Sequence, residues 1–169
     1  MTFPSKPYKY PGSATEHLVP AVMERIESVL AEVRLPNKAG ELVPVRVLRS
    51  YFNPAQEEEY ELPAVLVRTT GGAQDSGEER TASVEITLGV YLQEYADDEY
   101  ATSVMERIHQ HLLSQRILSG RYKLQLPLAW TVADVSQQPW PYWWAQMTAT
   151  YYMPAIADVR DEAGQPFDI

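Results

Sequence analysis

The sequence predicts an α+β fold: one mostly antiparallel sheet of about five strands, with two helices on one face. Two segments repeat apolar residues at three- and four-residue intervals, as amphipathic helices do. Several others alternate apolar and polar residues, as half-buried strands do. The elements follow one another as α-β-β-β-α-β-β, and the connections between the first three strands suit antiparallel neighbours. With 169 residues, 45% of them hydrophobic, the chain is long enough for one ordinary domain.

The first helix is expected to follow an extended, proline-containing arm, residues 1–12. The sequence SATE (residues 13–16) has the spacing of a capping box, in which serine and glutamate side chains accept backbone N–H groups at a helix start. Pro20 is tolerated only in a first turn, so a start near Val19 is an alternative. The sequence LPNKAG (residues 35–40) ends the helix. Its apolar stripe consists of Leu18, Val22, Ile26, Val29 and Val33.

Three strands are expected between the helices. Val43, Val45 and Val47 alternate with polar residues, which indicates a strand with one buried face. The sequence AVLVR (residues 64–68) is apolar at both parities and predicts a central strand covered on both faces. Next, TTGGAQDSGEER (residues 69–80) is expected to be a long flexible loop. The clearest strand follows, with one face made of Val84, Ile86, Leu88, Val90 and Leu92.

The second helix is expected to start after an acidic turn. Asp97 and Asp98 can cap it, and Gly120 is expected to end it. Its predicted stripe consists of Tyr100 or Ala101, Val104, Ile108 and Leu112.

Two further strands complete the predicted sheet. Residues 122–132 are expected to form one long strand with its even positions buried, in which Pro127 marks an edge or a bulge. The last strand is expected over residues 143–152. Residues 154–169 are polar and acidic, so the predicted domain covers residues 13–153 between an arm and a tail.

The composition limits the classes of function. The net charge is −9, which disfavours a protein that grips nucleic acid, because that affinity rests mainly on Lys and Arg. The chain has no cysteine, so disulfides, thiolate metal sites and a cysteine nucleophile are excluded. No stretch approaches the roughly 18–20 apolar residues of a membrane span. The N-terminal sequence has no apolar segment of a secretory signal.

No catalytic residue, metal ligand or cofactor site is predicted, and the protein is not expected to be an enzyme. His109 and His111 are two apart on a helix, so they lie on different faces and cannot share a metal ion. The acidic runs 57–59 and 97–99 are typical of a solvated surface. The Gly-rich stretch 69–77 lacks the Gly-Lys-Ser/Thr ending of a phosphate-binding loop and is interpreted as a hairpin that orders on assembly.

Aromatic residues are concentrated in the run QQPWPYWWAQMTATYYMP, residues 137–154. Alternation along this last strand places Trp143 on the core face. The other face carries Trp144 and Tyr152 at its two ends, with polar residues between them. Such a half-polar face suits either solvent or an interface, so packing within the chain and contact with a partner both stay open for these two side chains.

The residues before this strand form a stiff lead-in, because Pro139 and Pro141 restrict their neighbours to extended conformations. Trp140 and Tyr142 are thereby presented to a partner. A small carbohydrate- or peptide-binding module that uses the segment Trp140–Trp144 is therefore an alternative function. Base stacking is compatible with the aromatics, but the acidic charge opposes it.

The chain resembles the tail terminator, or tail-completion, proteins of long-tailed bacteriophages and prophages. The resemblance covers residues 13–154 and rests on four segments in order. These are ATEHLVPAVMERIESVL, ELPAVLVRTTGG, SVEITLGVYLQEYADDEYATSVMERIHQHLLSQ and YKLQLPLAWTVADVSQQPWPYWWAQMTATYYMP. The arm and the acidic tail are not part of it.

The resemblance implies an α+β subunit of a ring, usually a hexamer, in the virion tail and assembled in the host bacterial cytoplasm. Such a ring caps the tail tube, stops its polymerisation and receives the head–neck proteins, while DNA passes through its channel. Another head–tail connector protein is the related alternative. The candidate contacts with other subunits or partners are Trp140, Tyr142, Trp144, Tyr152, Gly71, Gly72, Asp75, Glu78 and Glu79.

Overall fold

Two helices pack against one face of a seven-stranded sheet in a computed structural model, which describes residues 14–49, 61–74, 79–94, 98–133 and 141–153. The predicted arm and tail, residues 1–12 and 154–169, lie outside the described residues. The described elements are α1 (Ala14–Leu30), β1 (Arg34–Pro36), β2 (Leu42–Pro44), β3 (Arg46–Arg49), β4 (Ala64–Gln74), β5 (Arg80–Tyr91), α2 (Asp98–Ser114), β6 (Ile117–Leu118), β7 (Tyr122–Leu124), β8 (Trp130–Val132) and β9 (Tyr142–Met153).

The sheet has the order β3-β4-β5-β9-β7-β6, and β8 also pairs with β9. Every pair in it is antiparallel except β3 with β4, which are parallel. The α+β class and the mostly antiparallel sheet are therefore confirmed, but the strand count and the first connection are corrected. Residues 50–63 separate β3 from β4, a length that suits the crossover needed for a parallel pair better than a tight hairpin.

Two predicted strands are each divided in the structure. The strand predicted around Val43, Val45 and Val47 splits into β2 and β3, and β2 pairs with β1 in a separate two-stranded sheet. The long strand predicted over residues 122–132 splits into β7 and β8, which both pair with β9. Pro127 lies between them and has no backbone N–H to continue a ladder.

The main core lies between the helices and the sheet. In the first predicted helix stripe, Val29 is only partly buried and Val33 lies beyond the end of α1. The other stripe residues are buried, with Ala101 rather than Tyr100 in the second helix. They meet the odd positions of β4 and β9 and the even positions of β5, as the alternation predicts. On the other face of the sheet, a smaller cluster is buried, made of Leu62, Ala64, Leu66 and Tyr91. The prediction of a strand covered on both faces is thus confirmed for Ala64–Val67.

Candidate assembly surface

The polar stretch after Val67 is strand rather than loop as far as Gln74, which corrects the prediction of a flexible loop. β4 continues with an irregularity between Thr69 and Gly71 and pairs with β5 down to Gln74 opposite Arg80. Backbone hydrogen bonds to β5 hold these residues in a strand, which their composition does not predict. We call residues Arg68–Gln74 the exposed half of β4, because all seven are exposed while the four before them are buried.

The two candidate glycines, Gly71 and Gly72, lie in the exposed half of β4. A Cβ on Gly71 would have no heavy atom within 4 Å, whereas one on Gly72 would come within 3.2 Å of the carbonyl oxygen of Thr81. Glu79 is exposed just before β5. Asp75 and Glu78, the other two candidates in this stretch, lie outside the described residues.

The aromatic residues of β9 are more buried than predicted. Trp143 is 4% exposed and belongs to the main core, which confirms its predicted position. Trp144 is only 7% exposed, which favours packing within the chain, one of the two alternatives left open for it. It lies opposite Gly89 of β5, and a glycine leaves space for a large neighbouring side chain on the same face. Tyr152 is half-buried between Thr81 and Lys123 on the neighbouring strands.

Tyr142 is half-buried beside Tyr91, with ring centroids 5.2 Å apart and ring planes tilted by 49°. The two tyrosines line an open groove of about 760 Å³ between the sheet and the β1–β2 hairpin. Arg46 and Glu61, which form an exposed ion pair of 3.6 Å, line it as well. Trp140, predicted to lie beside Tyr142, is outside the described residues.

Among the residues that the structure describes, three histidine and tyrosine side chains have buried polar atoms without a hydrogen-bond partner, whereas His109 has one. His109 Nε2 donates a 2.7 Å hydrogen bond to the carbonyl oxygen of Leu128. Within the described residues, the buried polar atoms without a hydrogen-bond partner are His111 Nε2 and the hydroxyls of Tyr122 and Tyr151. Burial raises the pKa of Tyr151 far above its ordinary value, and the positive charge of Arg25 lowers it by less.

No group of three or more His, Asp or Glu side chains in the described ranges is arranged to hold a metal ion. In the described part of the chain, neither helix is long and apolar enough to cross a membrane.

Several exposed apolar residues were missed by reasoning from the sequence. Tyr100 was offered as an alternative stripe residue, and Leu42 and Ile117 were not singled out at all. They are 70%, 71% and 57% exposed, respectively. The available signal was their position next to charged residues, since Glu41, Glu99 and Arg116 directly precede them in the sequence.

The described residues thus present at the surface the exposed half of β4, the Tyr91–Tyr142 groove and the exposed side chains of Leu42, Tyr100 and Ile117. Comparison of the chain with protein-family models and with curated proteins gave no match.

Proposed function

We propose that this protein is a ring-forming structural subunit of a phage or prophage tail. In this role it ends the growth of the tail tube and offers a surface to the head–neck proteins. It acts without a catalytic site, a metal ion or a cofactor. The observation that carries the proposal is the exposed half of β4, a stretch of strand whose side chains lack a covering layer in the described residues.

Strands at the edge of a sheet in natural proteins are usually covered by another element, shortened, or protected by charged residues and proline, because an open edge pairs readily with other strands. The stretch Thr69–Gln74 contains neither charge nor proline, and within the described part of the chain it pairs only with β5. It therefore has the properties of a surface kept for a partner. In the proposed role that partner is the tail-tube protein.

The charge of the chain fits the same role. A net charge of −9 repels the negatively charged phosphate backbone. Proteins that hold DNA neutralise its phosphates with Lys and Arg. A ring of such subunits allows DNA to pass through its channel without being retained. The proposal therefore treats DNA as cargo rather than as a ligand.

The test is assembly in the presence of tail-tube protein. We expect light scattering to report particles of several subunits, and electron microscopy to show rings at the ends of tubes whose length no longer grows. Wild-type protein that stays monomeric, alone and with tube protein, would overturn the proposal.

A matched pair of variants tests the role of β4. Ala73→Lys adds one charge in the exposed half of β4 and should reduce binding to the tube at least tenfold, as the loss of an interface anchor does. Gln110→Lys adds the same charge at an exposed position of α2 and should bind normally. Equal binding by both variants would remove the exposed half of β4 from the contact.

A carbohydrate- or peptide-binding module is the second candidate, and the groove at Tyr91 and Tyr142 favours it. Aromatic side chains next to charged groups are common in ligand sites. If the protein has this function, we expect its tryptophan or tyrosine fluorescence to change when it is titrated with oligosaccharide or peptide libraries. We also expect Tyr142→Ala to abolish that change without affecting assembly.

A further inference from the structure

Exposed apolar side chains lie near both ends of α2. At the N-terminal end, Tyr100 and Leu42 line a single groove of about 410 Å³ between α2 and the β1–β2 hairpin. They are 70% and 71% exposed. Three residues after the last residue of α2, Ile117 is 57% exposed on the edge strand β6. Since α2 has 17 residues, these two places are separated by about 25 Å along the helix.

The exposed charges around these two places have opposite signs. Glu41 precedes Leu42, and Asp98 and Glu99 precede Tyr100; all three carboxylates are exposed. Arg34, whose guanidinium donates hydrogen bonds to the carbonyl oxygens of residues 31 and 33, also lines the groove, and the three carboxylates leave the net charge of this region negative. We call this region, with Leu42 and Tyr100, the acidic end surface.

At the other end of α2 the exposed charges are basic. Arg116 precedes Ile117, Lys123 lies directly across from Ile117 on β7, and Arg121 lies in the turn between β6 and β7. Leu126, farther along the chain, adds another exposed apolar side chain. We call this region the basic end surface. It collects three of the 14 Lys and Arg residues of a chain with net charge −9.

The helix dipole explains only part of this distribution. Acidic residues stabilise the first turn of a helix and basic residues the last turn, which accounts for Asp98 and Glu99. It does not account for Glu41 on the hairpin, for Lys123 on β7, or for apolar side chains exposed beside them. A large apolar side chain with a rim of one charge sign is instead typical of a protein–protein contact.

We propose that the acidic end surface of one copy docks on the basic end surface of the next copy. The two surfaces differ, so the contact is head-to-tail and generates a ring when its rotation closes. Ile117 of one copy meets the groove between Leu42 and Tyr100 of its neighbour, and the two charge rims match. This inference rests on the proposed ring and adds its lateral contact, which leaves the exposed half of β4 for the tube.

Charge reversal at each surface tests the contact. Glu41→Lys with Glu99→Lys reverses the acidic end surface, and Arg121→Glu with Lys123→Glu reverses the basic one. We expect each double variant alone to sediment as a monomer under conditions in which the wild-type protein forms rings. An equimolar mixture of the two should form rings again, because every contact then joins opposite charges in alternating subunits.

The control reverses the same number of carboxylates elsewhere. Glu24→Lys with Glu27→Lys lies on the exposed side of α1 and should assemble as the wild-type protein does. Thermal unfolding of each variant shows whether it is folded. Tyr100→Ser and Ile117→Ser, which change no charge, should each raise the concentration for half-assembly roughly tenfold or more; they provide a second reading if a reversed variant does not fold.

The outcomes separate this contact from the proposed function. Rings in which neither reversal nor either serine variant has an effect would overturn the contact and leave the ring intact. Loss of rings in both reversed variants without recovery in the mixture would show that the two surfaces do not meet each other. A wild-type protein that forms no ring, alone or on tubes, would overturn both the contact and the function.

Discussion

The two halves of β4 share one continuous pairing with β5 but differ in what covers them. Ala64–Val67 is buried on both faces and also pairs with β3, whereas Arg68–Gln74 is exposed on both faces. The first half is joined to the rest of the chain by apolar packing as well as by backbone pairing, whereas the second relies mainly on its pairing with β5. The difference separates a part of the strand that belongs to the packed core from a part that the described residues leave uncovered.

The largest expected effect is in the buried half. Leu66 is almost fully buried in the smaller cluster on the sheet face away from the helices. Leu66→Ala should lower the free energy of unfolding by about 2–4 kcal/mol, because it removes buried methyl groups and leaves a cavity. Gln74→Ala, the control in the exposed half, should change it by less than about 0.5 kcal/mol. Urea denaturation measures both, and equal losses would mean that the exposed half also belongs to the core.

The buried half of β4 was predictable and the exposed half was not, for a physical reason. Four apolar residues at both parities have few stable positions other than a covered strand. The glycines and the alanine of TTGGAQ have low strand propensity, and this strand depends on the neighbour β5, whose own alternation is clear. Local composition therefore fails where the structure is imposed through pairing with another segment.

The same reason explains why the sequence left the surroundings of Trp144 open. Alternation assigned it correctly to the face opposite Trp143, but a face is exposed only if the neighbouring elements leave it uncovered. The small cluster at Leu62 and Tyr91 occupies part of this face. The apolar residues at both parities of AVLVR predicted a covered face at β4, but not that burial continues across β5 to Trp144. Parity therefore placed Trp143 and Trp144 on the correct faces but did not decide the exposure of Trp144. Leu42 and Ile117 were missed because single exposed apolar residues have no periodic signal.

The next largest effect distinguishes the two glycines of the exposed half. Gly71→Ala should raise the free energy of unfolding by about 0.4–1 kcal/mol, because alanine restricts the unfolded chain and meets no atom at this position. The free energy of unfolding of Gly72→Ala should be lower than that of Gly71→Ala by about 0.4–1 kcal/mol, because the added Cβ approaches the carbonyl oxygen of Thr81. Thermal or urea unfolding compares them under identical conditions. If Gly72→Ala were the more stable variant, the hairpin would have room that this spacing does not provide.

The smallest effect is expected at the boundary between the halves, where Arg68 Nε donates a 3.0 Å hydrogen bond to Glu85 Oε1. The side chains are 46% and 20% exposed, so solvent screens the pair, and Arg68→Ala should cost only about 0.5 kcal/mol. Arg46→Ala should cost still less, since its partner Glu61 lies 3.6 Å away and both side chains are more exposed. Urea denaturation at low and high salt measures both losses, and both should shrink as salt screens the charges. If Arg68→Ala instead lost a large free energy of unfolding that did not depend on salt, the buried half of β4 would extend beyond Val67. The aliphatic part of the arginine side chain would then contribute through packing.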